Sequence, residues 1–269
     1  MSSAMAPAAT AFDRIAPAYD DIFTRSLIGQ AQRRRVWAKL LVAFPPGSRI
    51  LELNCGTGED ARFLAERGRL VVACDASPAM LEMARSHDCT SGTESTPEFL
   101  QLANEDLDQL PMAKPFDGAF SNFSGLNCVA DLRSFAEKLA RLVKPGRRAL
   151  ICVWSRICVA EVLWYLAHGQ PKKALRRISG KSTAQLGNKA FPVFYPTVFT
   201  LRRTFSPWFQ LRSRSGVGVF VPPSYMEPWA RKHPRILQLL DQLDCLTAGL
   251  PVARGLGDHV LLEFIRCKP

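Results

Sequence analysis

The chain has 269 residues, of which 47% are hydrophobic, and carries a formal net charge of +11. This length is enough for one sizeable core with an added lobe. The charge admits an anionic partner, but the basic clusters lack the interleaved aromatic residues of a single-strand-binding face, and no nucleic-acid-binding motif occurs. We therefore expect no nucleic-acid partner and interpret the basic clusters as solvated helix faces. These clusters are residues 32–35, 171–177, 201–203 and 211–214.

The sequence also argues against secretion, membrane insertion and a metal site. Its first residues, MSSAMAPAAT, lack the basic start and apolar core of a secretory signal. The most apolar stretch, ALICVWSRICVAEVLWYLA, is interrupted by Arg156 and Glu161, which favours a buried strand followed by a helix over a membrane span. The eight cysteines form no CxxC pair, and no Cys/His cluster has zinc-ligand spacing. We therefore predict a cytoplasmic protein without a bound metal.

Two helices are predicted before the first strand. Aromatic and apolar residues recur at spacings of three and four from Phe12 to Phe23, which is typical of a helix face, and a second helix is expected over about 27–43. Strands and helices then alternate, and Ser77 followed by Pro78 is typical of a helix start. The predicted strands are 49–53, 70–75, 99–103, 116–122 and 148–154, with helices at 59–68, 77–86 and 129–143.

This alternation predicts a parallel sheet with helices on both faces. The pattern changes after residue 155. Residues 156–205 carry two or three helical stretches that fit no strand–helix repeat, and we interpret them as an inserted cap. A strand at about 208–220, a helical stretch at 224–247 and a final strand at 258–266 follow.

A glycine-rich loop, ILELNCGTGED at residues 50–60, joins the first strand to its helix. Such a loop directs backbone N–H groups toward an anion, and glycine lets a ligand approach without a Cβ clash. Asp75, at the end of the second strand, is suited to ribose hydroxyl groups. A dinucleotide fits this pattern, because GTGEDA matches its fingerprint and Asp75 lies 19 residues after Gly56.

Glu52 favours a different cofactor, S-adenosylmethionine. A carboxylate at the end of the first strand would be out of place beside a pyrophosphate. The same carboxylate would attract a ligand that carries an ammonium and a sulfonium group, as S-adenosylmethionine does.

The motifs taken together resemble class I S-adenosylmethionine-dependent methyltransferases. ILELNCGTGED is similar to their first motif, VVACDAS to the ribose-binding segment, and LARLVKPGRRALICVW to the helix–PG–strand unit. FDRIAPAYD resembles the N-terminal helix of the small-molecule branch, which includes the ubiquinone and menaquinone methyltransferases. The match covers roughly residues 12–154. It implies a Rossmann-like, mostly parallel seven-strand sheet with helices on both faces and the last strand antiparallel, and S-adenosylmethionine as the cofactor.

The resemblance also implies roles for individual residues. Asp106, in LANEDLDQLP, would accept the adenine amino group with Leu107 beside the ring, and Tyr19 would belong to a lid over the cofactor. Most relatives have glycine where this chain has Asn54. Asparagine tolerates left-handed backbone, so the loop is still expected to form. The predicted cofactor-binding residues are Tyr19, Glu52, Asn54, Gly56, Gly58, Asp75, Ala76, Met80, Asp106, Leu107, Asn122 and Phe123.

The methyl acceptor is expected to be a small apolar or aromatic molecule. The fourth-strand segment SNFS differs from the proline-containing tetrapeptide of amine-methylating DNA and protein enzymes, and the cap is rich in aromatic residues, as large pockets are. His168 in the cap and His259 at the start of the last strand are the candidate general bases. For His259 a surface turn is the expected place. The sequence indicates neither the acceptor atom nor the oligomeric state.

We therefore predict a methyltransferase that acts mainly by positioning its substrates and excluding water. Two alternatives stay open: an NAD(P)-dependent oxidoreductase with the same loop, and a non-catalytic cofactor-binding protein of the same fold. A peripheral contact between the basic stretch 171–177 and an anionic lipid surface also stays open. The predicted units are an N-terminal helical lid (1–44), a cofactor-binding core (45–155), a helical cap insert (156–207) and C-terminal strands that complete the sheet (208–269).

Overall fold

The structure is a computed structural model that describes residues 7–87, 96–110, 114–186 and 189–268. It begins with helix α1 (Pro7–Tyr19), a short π-helical turn and helix α2 (Leu27–Ala43). Ser26 caps α2, because its Oγ accepts a hydrogen bond from the Gly29 backbone N–H at 2.9 Å. Both N-terminal helices predicted from the sequence are therefore present.

The core is a seven-stranded sheet in the order β3-β2-β1-β4-β5-β9-β8. β9 is antiparallel to both of its neighbours, and the strands from β1 to β5 pair in parallel. The predicted fold, with the last strand antiparallel, is confirmed. The strands are β1 (Arg49–Leu53), β2 (Leu70–Asp75), β3 (Glu98–Gln101), β4 (Phe116–Ser121), β5 (Val143–Trp154), β8 (Phe209–Val217) and β9 (His259–Arg266).

Helices pack on both faces of this sheet, as the strand–helix alternation predicts. One core lies between the sheet and the helices α2, α3 (Glu59–Ala65) and α4 (Pro78–Ser86). The other core lies beneath α5 (Leu132–Leu142) and α8 (Val198–Phe205). The carboxyl ends of β1, β2, β4 and β5 meet at one edge, which is where ligands bind in sheets of this kind.

Two local expectations can be compared with the structure directly. Ser77 caps α4, since its Oγ accepts a hydrogen bond from the Met80 N–H at 3.1 Å, and Pro78 is the first helical residue, as predicted. β5 begins earlier than expected. Its Val143 pairs with Phe116 and its Arg148 with Gly118, so the KPGR segment at 144–147 bulges out of the ladder rather than preceding the strand.

The insert (residues 156–207) is only partly helical. It holds α6 (Val159–Ala167), α7 (Pro171–Ala174) and α8, and it also contains an unpredicted antiparallel hairpin of β6 (Lys181–Leu186) and β7 (Lys189–Phe194). The hairpin forms because Phe191 and Val193 alternate on one face and are buried against Ala11 of α1.

The insert is joined to the sheet by a buried ionic group. The Arg177 guanidinium contacts the Glu161 carboxylate of α6 and lies 2.8 Å from Asp258 Oδ1, just before β9. All three side chains are almost fully buried. Two further helices, α9 (Glu227–Lys232) and α10 (Pro234–Thr247), pack beside α2. Within the described ranges, no helix combines the length and the apolar character needed to cross a membrane.

Candidate functional site

The glycine-rich loop after β1 is built on left-handed backbone. Asn54, Gly56 and Gly58 have φ values of +59°, +54° and +77°. The Asn54 side chain donates from Nδ2 to Ser121 Oγ at 2.9 Å and accepts at Oδ1 from Asn104 Nδ2 at 2.7 Å. The loop therefore forms despite the missing glycine, as expected. Its asparagine amide ties β1 to β4 and to the turn after β3.

The two glycines of this loop face different surroundings. A Cβ on Gly58 would lie 2.7 Å from the Phe99 ring and 3.1 Å from Ala84 Cβ, so Gly58 is required by packing inside the protein. A Cβ on Gly56 would meet only Tyr19 Cε1, at 3.8 Å. Gly56 thus borders the side of the loop that faces the N-terminal helix, where a ligand can approach the backbone.

Asp75 holds the loop and the next helix in place. Its Oδ2 accepts from the Gly56 N–H at 2.8 Å and its Oδ1 from the Ser77 N–H at 2.9 Å. Burial raises the pKa of Asp75, and these backbone hydrogen bonds oppose that shift. A carboxylate has about four acceptor positions, so the half-buried group keeps capacity for a further hydroxyl donor.

Glu52 is a buried acid without a full set of partners. It is 1% exposed, and its Oε2 makes no hydrogen bond to any described residue. Burial, and then the nearby Asp60 carboxylate, raise the pKa of Glu52 well above its ordinary value. An unsatisfied buried carboxyl oxygen is costly unless a donor reaches it. The site therefore suits a ligand with a cationic donor.

Asp60 organises a polar cluster that the sequence analysis missed. Its Oδ1 accepts from Arg33 Nη1 and from Trp37 Nε1, both at 2.6 Å, and its Oδ2 accepts from Asn122 Nδ2 at 2.7 Å. Arg33 belongs to the basic cluster 32–35, which we interpreted as a solvated face. That interpretation is wrong for Arg33, which is buried in this ion pair. The sequence did carry a signal for this cluster, because Asp60 directly follows the glycine loop.

The backbone after β4 is strained. Phe123 and Ser124 have φ values of +45° and +71°, and Phe123 is a bulky residue in a region that favours glycine. The Phe123 ring contacts the rings of Phe23 and His259 with centroids 5.0 and 5.4 Å away. The Arg33 guanidinium lies 5.0 Å from its centroid. Strain of this kind is concentrated at functional sites.

Helix α1 and the turn after it lie across the loop. Asp20 Oδ1 accepts from Thr57 Oγ1 at 2.6 Å, and Asp13 Oδ1 accepts from Ser77 Oγ at 2.6 Å. Tyr19 lies between these contacts, against Gly56. Burial raises the pKa of Tyr19 to about 12, so its hydroxyl stays protonated. The N-terminal helix thus covers the segment that the sequence identifies as the cofactor loop.

Comparison with known proteins agrees with this geometry. Residues 50–146 match the family described as a methyltransferase domain. This part of the chain is therefore similar to a methyltransferase domain. S-adenosylmethionine is the cofactor that its motifs imply. The demethylmenaquinone methyltransferase of Clavibacter sepedonicus is 36% identical over 145 residues, which are 54% of this chain and 56% of that protein.

A second relative is the 2-phytyl-1,4-naphtoquinone methyltransferase of Synechococcus elongatus, 34% identical over 150 residues, or 52% of this chain and 60% of that protein. The chain therefore spans little more than half the length of these curated relatives.

Solved structures extend the likeness in fold to nearly the whole chain. A putative S-adenosylmethionine-dependent methyltransferase from Listeria monocytogenes superposes with a TM-score of 0.61 at 19% identity, covering 88% of this chain and 98% of that one. The [4+2]-cyclase SpnF superposes with a TM-score of 0.64 at 13% identity, covering 100% and 98%. At such identities the likeness shows the fold alone, and the fold is shared by a protein described as a cyclase.

Four other predicted residues lie around the same edge of the sheet. Asp106 is half-buried in the turn after β3, where its Oδ1 accepts from Gln109 Nε2 at 3.2 Å. Leu107 and Met80 are buried, so they support this edge from inside the core. Ala76 is half-buried directly after Asp75.

The two candidate bases lie in different environments. His168 is exposed at the end of α6, where its Nδ1 lies 2.7 Å from the Trp164 carbonyl oxygen, and the structure does not bring it to the cofactor loop. His259 is 3% exposed, so the expected surface turn is wrong. It is buried because antiparallel β9 starts at the carboxyl edge, where His259 pairs with Trp154 of β5.

Aromatic side chains cover the carboxyl edge of the sheet beside His259. Phe12 lies 6.0 Å from Phe191 of the hairpin, and Trp154 lies 6.0 Å from Tyr195, measured between ring centroids. Tyr19 extends this cluster toward Gly56, with its ring 6.4 Å from Phe12. Residues from α1, β5 and the insert therefore form one apolar layer over the edge.

Proposed function

We propose that the chain is an S-adenosylmethionine-dependent methyltransferase whose acceptor is a small aromatic molecule of the quinone type. The observation that carries the proposal is Glu52, a buried acid beside a left-handed glycine loop, with one oxygen to which no described residue donates a hydrogen bond. In its ionised form Glu52 would repel a pyrophosphate, which counts against a dinucleotide. A cationic amino group would complete the carboxylate's hydrogen bonds.

The residues of the loop fit the parts of this cofactor. Glu52 would hold the ammonium group, Asp75 the ribose hydroxyls, and Asp106 the adenine amino group. The methionine chain would lie against Gly56, which requires Tyr19 to move from its place beside the loop. When bound, S-adenosylmethionine supplies a methyl group already activated by the sulfonium. The chain then has to align the acceptor and keep water out.

We assign the covering role to α1 and the insert. Asp13, Asp20 and Tyr19 hold α1 across the cofactor loop. The hairpin of the insert packs on α1 through Phe191. Both elements would have to move for an acceptor to enter, and their return would exclude water.

The aromatic layer supports a flat acceptor. Rings stack offset or edge-to-face with aromatic side chains, and Phe12, Trp154 and Phe191 offer such partners at the carboxyl edge. The curated relatives are named demethylmenaquinone methyltransferase and 2-phytyl-1,4-naphtoquinone methyltransferase. Their match to this chain supports a quinone-type acceptor.

The deciding experiment follows methyl transfer directly. Purified protein is incubated with S-adenosylmethionine and a reduced demethylated naphthoquinone, and the product is examined for a mass increase of one methyl group. Titrations with S-adenosylhomocysteine and with NAD in the same buffer identify the cofactor. Tight binding of S-adenosylhomocysteine without methylation of any aromatic acceptor would favour a non-catalytic or cyclase-like protein of this fold. Binding of NAD alone would contradict the proposal.

Glu52→Gln should weaken cofactor binding without lowering the stability of the protein. The amide keeps the shape but loses the charge that attracts the ammonium group, so we expect S-adenosylmethionine affinity to fall at least about tenfold. The raised pKa means that ionised Glu52 destabilises the free protein. This cost grows as pH rises from the unfolded pKa through the folded pKa, so the variant should be at least as stable as the wild type at neutral pH.

Calorimetry in two buffers of different ionisation enthalpy measures the protons released when the cofactor binds, which is a second test of Glu52. A bound cation lowers its pKa, so cofactor binding should release a proton in the wild type and release less in the variant. Equal affinity and equal proton release in both proteins would remove Glu52 from the site.

We propose His259 as the general base. Burial lowers its pKa to about 4, so the ring is neutral at pH 7 and able to accept a proton. Its Nδ1 makes no hydrogen bond to a described residue and lies 3.4 Å from Asp258 Oδ2, a carboxylate that would stabilise the charged ring. We expect His259→Gln to lower kcat about 100-fold with an unchanged KM for S-adenosylmethionine. An unchanged kcat would show that His259 is not the base and that the acceptor loses its proton without it.

His259 should also make the stability of the protein depend on pH. Because its folded pKa lies below the unfolded value, the unfolded chain binds the proton first as pH falls. The contribution of His259 to stability should therefore decrease by about 3 kcal/mol from about pH 6.5 to pH 4. Denaturant unfolding at several pH values should show a smaller decrease in His259→Gln.

A further inference from the structure

The positive charge of the chain is concentrated in one segment. Residues 156–226 contain eleven lysines and arginines and a single acid, Glu161, so they carry a net charge of +10 out of the chain's +11. Glu161 is 1% exposed and is held by Arg177 in the buried ionic group. The outer surface of this segment is thus cationic without acidic neighbours of its own.

Helix α6 of the insert buries its acid and exposes apolar side chains. It directs its only acid, Glu161, toward the protein, and it exposes Val159, Leu163 and Leu166. The three apolar residues follow spacings of four and three, so they share one face. Leu163 is 63% exposed and Leu166 is 50% exposed. A helix facing water normally has the opposite arrangement.

The adjoining residues extend this face. Leu175 and Ile178 are exposed just beyond α7, and Lys172 and Lys173 are exposed within it. α7 packs directly on α6, and the Lys173 Nζ lies 5.7 Å from the Tyr165 ring centroid. We call this surface the docking face. It consists of Val159, Leu163, Leu166, Leu175 and Ile178 with the lysines 172 and 173.

We propose that the docking face binds an anionic lipid surface, with its leucines at the level of the headgroups and its lysines on the phosphates. Apolar side chains on one face of a helix beside exposed lysines are typical of helices that lie in a membrane interface. A nucleic acid would leave the leucines in water. The concentration of charge complements an anionic surface much larger than a single molecule.

This inference goes beyond methyl transfer, and its test does not depend on it. Binding is measured by co-sedimentation with vesicles of equal parts phosphatidylglycerol and phosphatidylcholine, with pure phosphatidylcholine vesicles for comparison. We expect binding to the anionic vesicles only, and we expect it to weaken steeply with salt, since the Debye length falls from about 10 Å at 0.1 M to about 3 Å at 1 M.

Two variants test the two parts of the face. The double variants Leu163→Ser/Leu166→Ser and Lys172→Glu/Lys173→Glu should each weaken vesicle binding at least about tenfold. The matched controls are Val42→Ser and Lys39→Glu on α2, where both side chains are exposed outside the insert. They should bind vesicles like the wild type. All variants should keep the wild-type circular dichroism spectrum and thermal unfolding midpoint, which verifies their fold.

Two results would overturn the proposal. One is no binding to anionic vesicles at low salt. The other is an equal loss of binding in the controls, which would indicate general attraction by net charge. A wild-type dimer that Leu163→Ser/Leu166→Ser converts to a monomer, without vesicle binding, would assign the face to a second copy of the chain instead.

Discussion

Gly56→Val is expected to abolish S-adenosylmethionine binding while the protein stays folded. The added side chain would enter the space between the loop and Tyr19, where the methionine part of the cofactor is proposed to lie. A branched residue at a φ of +54° also adds strain of about 1–2 kcal/mol, which a domain of this size tolerates. Calorimetric titration measures the affinity, and circular dichroism verifies the fold.

Gly58→Val is the matched comparison, two residues further along the same loop. Its Cβ would clash with the Phe99 ring inside the core, so the expected result is a loss of stability of about 3 kcal/mol or more rather than a selective loss of binding. If Gly56→Val bound the cofactor normally, the loop would be a structural turn and the proposed site would be wrong. Equal destabilisation by both valines would lead to the same conclusion.

Arg177→Met should cause the largest loss of stability among changes outside the loop. It leaves the buried carboxylates of Glu161 and Asp258 without their shared partner, and breaking a buried ion pair in this way costs about 3–5 kcal/mol. Because Arg177 joins α6 to the start of β9, we expect the insert to loosen first. Denaturant unfolding measures the free energy, and limited proteolysis locates the new cleavage sites.

Arg176→Met is the control for this result. Arg176 also binds Glu161, at 3.0 Å, but its side chain is 37% exposed, so we expect a loss below about 1 kcal/mol. Adding Glu161→Gln to Arg177→Met removes one of the two buried carboxylates that lose Arg177 and should recover part of the stability. If the two arginine variants were equally stable, Arg177 would not be the link between insert and sheet.

The sequence was most informative where short-range rules decide the structure. Ser77 and Pro78 predict the start of α4, and the alternation of strands and helices predicts the sheet. The tolerance of asparagine for left-handed backbone predicts the shape at Asn54, which has a φ of +59°. These features depend on residues that are close together in the chain, so local sequence patterns are sufficient to predict them.

The features that were missed depend on distant residues. His259 is buried because β9 enters the sheet beside β5, a contact between segments about a hundred residues apart. Arg33 is buried because Asp60 lies opposite it. The hairpin of β6 and β7 was also not predicted, because the segment 156–205 was expected to carry only helical stretches.

The order of strands in the sheet bears on how this protein is synthesised. β9 lies between β5 and β8 but follows both of them in the chain. While the ribosome is still translating the intervening residues, β5 has an open edge and β8 has no partner at all. Unpaired edges of this kind invite aggregation, and Arg212 and Arg214 within β8 supply the charges that discourage it. A nascent chain stalled before residue 259 would display two edges that fit the β9 of another molecule, which is the condition for a strand-exchanged dimer.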